Sequence, residues 1–242
     1  MKKILVILIT GIMFLSCYSP FVTSKMEILK KPNDLCKEGK YDLAIKEYSR
    51  ILRWYTNMAE AYNNRGFAYY QLGKLEEAFN DYKMAIVMNP KFADAYLNRG
   101  IIYDEIEDTQ AALVDFNKAI ELAPQNDLAY YNRGVVYDRI GNIAQAIEDY
   151  SKAIELNPQN ADAYAFRAKS YGSLGRFDEA LADANKATQI NPKISEPYTV
   201  RATVYLIRKE YDKSWEEVKR AESVGGKVPA EFLELLKNAS GK

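Results

Sequence analysis

Three asparagines, Asn64, Asn98 and Asn132, stand 34 residues apart. A carboxamide offers one donor group and one acceptor group, which is what the successive peptide units of an extended chain require of a partner. Directly after each asparagine comes an arginine, and sixteen residues further on an acid. The pairs are Arg65 and Asp81, Arg99 and Asp115, Arg133 and Asp149, and the series continues with Arg167 and Asp183, Arg201 and Glu217. Guanidinium and carboxylate at a fixed spacing suit bidentate pairing. Two uses of that pairing stay open: a brace between helices, or a site for an anionic ligand, although each arginine already has an acid to neutralise it. The 242 residues contain no histidine. That absence removes imidazole acid–base catalysis, Ser-His and Cys-His nucleophiles and imidazole metal ligands together. Lys+Arg and Asp+Glu are both 33, so net charge is zero and a basic face for nucleic acid is not expected. Cys36 has only Lys37 beside it to activate its thiol and reads as a small, buried apolar residue.

The elements that carry these residues show best between Tyr130 and Pro158. Tyr130, Gly134 and Tyr137 fall at i, i+4 and i+7, and Ala146, Ile147, Tyr150, Ala153 and Ile154 form a second helical stripe. Gly141 supplies the left-handed residue that a helix C-terminus favours, and Asn157-Pro158 stops the second helix. The unit is a helical hairpin. Gly134 lies inside the first helix, where glycine costs about 1 kcal/mol relative to alanine, so a neighbouring backbone is expected to come close there.

The hairpin recurs every 34 residues. Tyr62, Tyr96, Tyr130, Tyr164 and Tyr198 share one register, Tyr69, Tyr103, Tyr137, Tyr171 and Tyr205 another; Gly66, Gly100, Gly134, Ala168 and Ala202 are the small residues, and Pro90, Pro124, Pro158 and Pro192 close the units. The pattern resembles the tetratricopeptide repeat (TPR) family, helix–turn–helix units with aromatic and small residues at these positions. The resemblance implies an all-α, right-handed superhelix. Full repeats are expected at 59–92, 93–126, 127–160, 161–194 and 195–228, preceded by a degenerate repeat at 32–58 whose first helix starts at Pro32. A capping helix and tail at 229–242, with Phe232, Leu233 and Leu236 on one side, would cover the exposed end of the stack.

In this family the first helix of each unit lines a concave groove that takes an extended peptide. Asn64, Asn98 and Asn132 are placed like the asparagine ladder of the TPR superhelix of O-GlcNAc transferase; the alternative is an amide that faces water or bonds its own helix. Side-chain pockets are expected from Phe67, Tyr70, Leu97, Ile101, Tyr131 and Val135, with packing between adjacent helices as the competing role of Ile101 and Val135. Asp104, Asp138 and Arg139 complete the expected partner face. The Lys and Asn pair by which TPR cochaperones clamp a terminal carboxylate is absent: the corresponding positions hold Asn63 and Phe67, Leu97 and Ile101, Tyr131 and Val135.

The N-terminus reads as a bacterial export signal over residues 1–16. Lys2 and Lys3 precede an apolar run, Ile4 to Leu15, about 18 Å long as a helix and too short to span a bilayer core of about 30 Å. Phe14-Leu15-Ser16-Cys17 resembles a lipobox, which would lipidate Cys17 and anchor the protein in a membrane. Cleavage after Val22-Thr23-Ser24 would instead release a soluble exported protein. Residues 17–31 are expected to be a tether. Together these features imply a non-enzymatic adaptor in the cell envelope with a protein or peptide partner and no cofactor, metal or nucleic acid. A ligand-binding accessory of an envelope transporter and a structural subunit of a larger assembly are the alternatives.

Overall fold

The computed structural model describes residues 25–241. The expected signal, the Cys17 lipidation site and the tether as far as residue 24 lie outside them. Thirteen helices and no strand occur among the described residues. The hairpins pair α1 (Lys25–Lys37) with α2 (Tyr41–Leu52), α3 (Ala59–Gln71) with α4 (Leu75–Met88), α5 (Ala93–Glu105) with α6 (Thr109–Leu122), and α7 (Asp127–Arg139) with α8 (Ile143–Leu156). They continue with α9 (Ala161–Ser173) and α10 (Phe177–Ile190), then α11 (Glu196–Ile207) and α12 (Tyr211–Ser223), and α13 (Ala230–Ser240) closes the stack. This is the expected TPR solenoid.

Each hairpin turns at one left-handed residue. Gly39, Gly73, Gly141 and Gly175 have φ between 71 and 79°, and the equivalent positions in the other two units are filled by Glu107 and Lys209, both at φ 61°. A carbonyl five residues back closes the turn, as in the bond from the Asn142 N–H to Tyr137 O at 2.8 Å. Where the next helix needs a cap, Asp108, Asn126 and Asn160 accept from backbone N–H groups.

The small residue in the first helix of a unit is matched to the aromatic of the second. A Cβ on Gly66 would lie 2.8 Å from Tyr82, one on Gly100 2.7 Å from Phe116, and one on Gly134 2.8 Å from Tyr150. What presses on Gly134 is therefore a ring rather than the expected backbone. In the last two units alanine takes the glycine position, and Ala184 and Val218 take that of the ring. Glycine is thus found where a ring faces it, and alanine where the facing residue is small.

The start of the chain corrects one expectation. α1 begins at Lys25, not Pro32, and carries Pro32 buried in its interior. A helix-interior proline removes one hydrogen bond and crowds the preceding turn. Here the upstream turns still form because Leu29 is buried among Tyr48, Ile51, Leu52 and Met58, with Ile28 packed against the same cluster. At the other end, Leu236 of α13 is fully buried against Ala202 and Val218, and Phe232, Leu233 and Trp215 pack around it, so the helix caps the stack.

Candidate functional site

The arginine series is a brace. Arg133 donates through Nε and Nη2 to the two oxygens of Asp149 at 2.8 and 2.7 Å, and through Nη1 to Asn117 Oδ1, on the preceding hairpin, at 2.6 Å. Arg65 and Arg167 repeat the bidentate pair with Asp81 and Asp183 and reach back to Ser49 and Ser151. Arg99 grips Asp115 in the same way, but the residue sixteen before it is Lys83, whose ammonium lies over the Phe79 ring. Arg201 holds Glu217 and bonds Ala184 O and Thr188 Oγ1. The guanidinium of each of the first four arginines also sits 5.7–5.8 Å from the centroids of two tyrosines of its own helix, Tyr130 and Tyr137 in the case of Arg133. With both edges of the guanidinium committed at Arg65, Arg133, Arg167 and Arg201, and the Asp115 pair holding Arg99, the series braces the hairpins, joins four of them to the preceding one, and leaves little for an outside anion.

The asparagines behave differently from one another. Asn98 Nδ2 donates to Asn63 Oδ1 at 3.0 Å, Asn63 Nδ2 to Asn64 Oδ1 at 3.1 Å, and Asn64 Nδ2 to Asn33 Oδ1 at 3.1 Å, where the Tyr48 hydroxyl also donates at 2.5 Å. This amide chain runs across α1, α3 and α5. Neither Asn33 nor the buried Asn63 is among the expected ladder residues; Asn63 stands one residue before the ladder register and Asn33 three after it. Asn132 instead donates to Leu128 O of its own helix at 2.7 Å. Each amide of the ladder keeps a second N–H, and Asn98 and Asn132 keep their carbonyl oxygens unspent.

The remaining expected residues divide by accessibility. Leu97 is 5% exposed and packs with Phe116 and Val136, so it is core and does not face a partner. Ile101 is half-buried against that same cluster. Val135 is half-buried on α7. Tyr131 packs with Tyr130, Ile154 and Tyr164 and meets Phe166 edge-on at 5.8 Å between centroids; burial pushes its hydroxyl pKa up, with Asp162 adding to the shift. Phe67 stays 40% exposed, its edge against Tyr41.

Side chains 31 to 35 residues apart meet between adjacent hairpins. The Tyr70 hydroxyl donates to Glu105, and burial followed by that bond pushes its pKa to about 12. Arg139 pairs with Asp104, whose carboxyl is held above the ordinary range by burial, an effect Arg139 opposes and Glu105 reinforces. Asp138 accepts from Ser170 Oγ at 3.0 Å and lies 4.0 Å from Lys169. The expected face is thus ordered by its own ion pairs. Cys36 is partly buried, its thiol pKa raised by burial and lowered only in part by a hydrogen bond with Tyr48, so it is not activated.

A concavity that the sequence did not advertise lies further along. About 480 Å³ of space opens between α9, α11 and the start of α13, floored by Phe177, Val200, Val204 and Phe232. Among the described residues no group of three or more His, Cys, Asp or Glu is arranged to hold a metal ion. None of the described helices is long and apolar enough to cross a membrane.

Comparison with known proteins agrees with this architecture. Models of the tetratricopeptide repeat match residues 93–126, 128–160 and 161–194, and a TPR repeat model matches 33–73 and 68–106. No curated protein matches the chain. Among solved structures, MamA is 31% identical, with 66% of this chain and 93% of that one covered and a TM-score of 0.58. YrrB, described as a TPR protein with an unusual peptide-binding site, is 21% identical over 81% of this chain and 98% of its own, with a TM-score of 0.63. The pilF protein of Pseudomonas aeruginosa is 15% identical over 89% and 96%, with a TM-score of 0.76. The last two likenesses speak to the fold alone. Matched in consecutive units between residues 33 and 194, and aligned with nearly all of MamA, the chain belongs to the tetratricopeptide repeat family.

Proposed function

We propose that this protein is a non-enzymatic adaptor of the bacterial cell envelope that holds an extended segment of a partner protein against the first helices of residues 59–172. Its fold is that of a protein-interaction family. The observation that carries the reading is the ladder of amides on α3, α5 and α7: Asn98 and Asn132 keep an N–H and a carbonyl oxygen each, and the exposed ring of Phe67 stands three residues after Asn64 on α3. A peptide backbone can pair with those groups without disturbing the arginine brace. Three such contacts at a net 0.5–1.5 kcal/mol would contribute about 2–5 kcal/mol, whereas micromolar binding needs about 8. Apolar pockets must add the rest.

Crosslinking in whole cells tests this. Asn98→Ala combined with Asn132→Ala is expected to weaken capture of the partner while circular dichroism stays that of the parent; undiminished capture would remove the groove from the mechanism. The envelope address rests on the basic start, the short apolar run and Cys17. Metabolic labelling with a fatty acid is expected to mark the protein and to be lost in Cys17→Ala. A parent that never takes label is not lipid-anchored.

A further inference from the structure

The cavity near the C-terminal end belongs to the groove. Thr199, Val200 and Thr203 stand 68 residues after Tyr131, Asn132 and Val135, and Lys169, Gly172 and Ser173 stand 34 after Val135, Asp138 and Arg139. The same positions that make a filled, ion-paired surface upstream therefore line open space here. Residue size explains the change. At the position of Tyr70, Asp104 and Asp138 the chain has Gly172, and a Cβ built on Gly172 would meet nothing within 4 Å. The far wall comes from the turn before α13. Gly225 takes φ 86°, and Gly226 packs so close to Ser195 that a Cβ would lie 2.4 Å from that side chain, which brings Val228, Pro229 and Phe232 over the opening.

The chemistry of the lining selects an occupant. The floor is apolar, and the hydroxyls of Ser173, Thr199 and Thr203 already donate to carbonyls of their own helices. A polyhydroxylated solute would find few free donors. Charge is supplied by Lys227, by Lys169, whose hold on Asp138 is loose at 4.0 Å, and by Glu196, a net of one positive charge. A volume of about 480 Å³ is ample for a large side chain and falls within the usual range for ligand pockets.

Resting on the peptide-groove reading, we propose that this cavity is the anchor pocket of the bound segment: it takes a phenylalanine- or leucine-like side chain whose neighbouring carboxylate pairs with Lys227 and Lys169. The pocket supplies the apolar contribution that the amide ladder lacks. It also gives the segment a direction, with its apolar–acidic pair at the α11 end.

Fluorescence anisotropy on the full chain tests the assignment, with a fluorescein-labelled peptide containing Phe-Glu between alanines as the probe. Exchanging the probe's Phe for Ala is expected to weaken binding about tenfold or more, and exchanging its Glu for Gln up to about fivefold. Lys227→Glu should reproduce the second loss and leave the Gln probe unaffected. Gly172→Leu decides the location. It adds a side chain where the structure has room and replaces a glycine in the last turn of α9, so it is expected to raise the melting temperature while abolishing probe binding. Equal binding of all probes, or a Gly172→Leu protein that binds as the parent does, overturns the proposal. So does displacement by octanoate in the absence of any preference for Phe-Glu, which would make the pocket one for small amphiphiles. If Gly172→Leu loses the probe but captures the cellular partner normally, the pocket is not the partner's anchor and the groove reading stands. If capture instead withstands the asparagine substitutions, the groove reading fails by itself.

Discussion

A guanidinium held by a carboxylate on one hairpin and by a hydroxyl or amide on the preceding one is a load shared between units. Asp149 is 5% exposed, so its charge depends on Arg133 for compensation. Breaking a buried pair from one side costs more than removing both partners, because the remaining charge keeps its desolvation penalty. Arg133→Leu is therefore expected to destabilise the protein by about 3 kcal/mol, and Arg133→Leu with Asp149→Ala by clearly less; urea denaturation of the two variants checks the order. An equal or larger loss in the double variant would mean that the arginines act through their stacking on Tyr130 and Tyr137. At this scale the chain was only partly legible. The sixteen-residue spacing left a brace and an anion site both open, and burial with a bidentate fit at 2.7–2.8 Å decided for the brace. The asparagines show the reverse limit, since one repeated position ends in an amide chain at Asn64 and Asn98 and in a helix-backbone bond at Asn132.

Among the elements, the turns between paired helices carry a cost the sequence pattern makes visible. Four of six use glycine in the left-handed region, while Glu107 and Lys209 hold the same conformation with a Cβ. That conformation costs an ordinary residue about 1–2 kcal/mol. Glu107→Gly is expected to stabilise the fold by about 1 kcal/mol, seen as a higher urea midpoint; an unchanged or lower midpoint would show that the Glu107 side chain contributes something to offset the strain. Helix α1 illustrates what local signals miss. Pro32 reads as a first-turn residue, yet the helix extends back to Lys25 because Leu29 and Ile28 find a core to enter. A core formed by α2 and α3 is not visible in the segment it recruits.

On the scale of the whole molecule, the recurrent tyrosines set a pH limit. Burial raises the hydroxyl pKa of Tyr48, Tyr70, Tyr82, Tyr131 and Tyr150 above the ordinary tyrosine value of about 10. Above that value an unfolded chain loses these protons while the fold retains them, so the unfolded state binds fewer protons and stability falls as pH rises. The contribution is complete below pH 10 and is lost upward through the folded values, which for Tyr70 is about 12. Helicity is expected to persist to about pH 10 and then collapse cooperatively, with tyrosinate absorbance at 295 nm rising in the same transition. Tyrosinate that appears well before the helix signal falls would contradict it.

What the sequence by itself determined is the repeating frame. A 34-residue period, recurring small residues and tyrosines, left-handed turns and closing prolines act within a unit or between neighbours, and such local rules fix a solenoid without knowledge of distant contacts. Only the tertiary structure decided which faces are free. Leu97 and Phe67 are both apolar residues on the first helix of their units, yet Leu97 is core, in one cluster with Phe116 of its own hairpin and Val136 of the next, while Phe67 stays exposed. The cavity by Gly172 is of the same kind. It arises where small residues on α9 and α11 coincide with a turn drawn in by Gly226, three segments whose proximity exists only once the stack has closed.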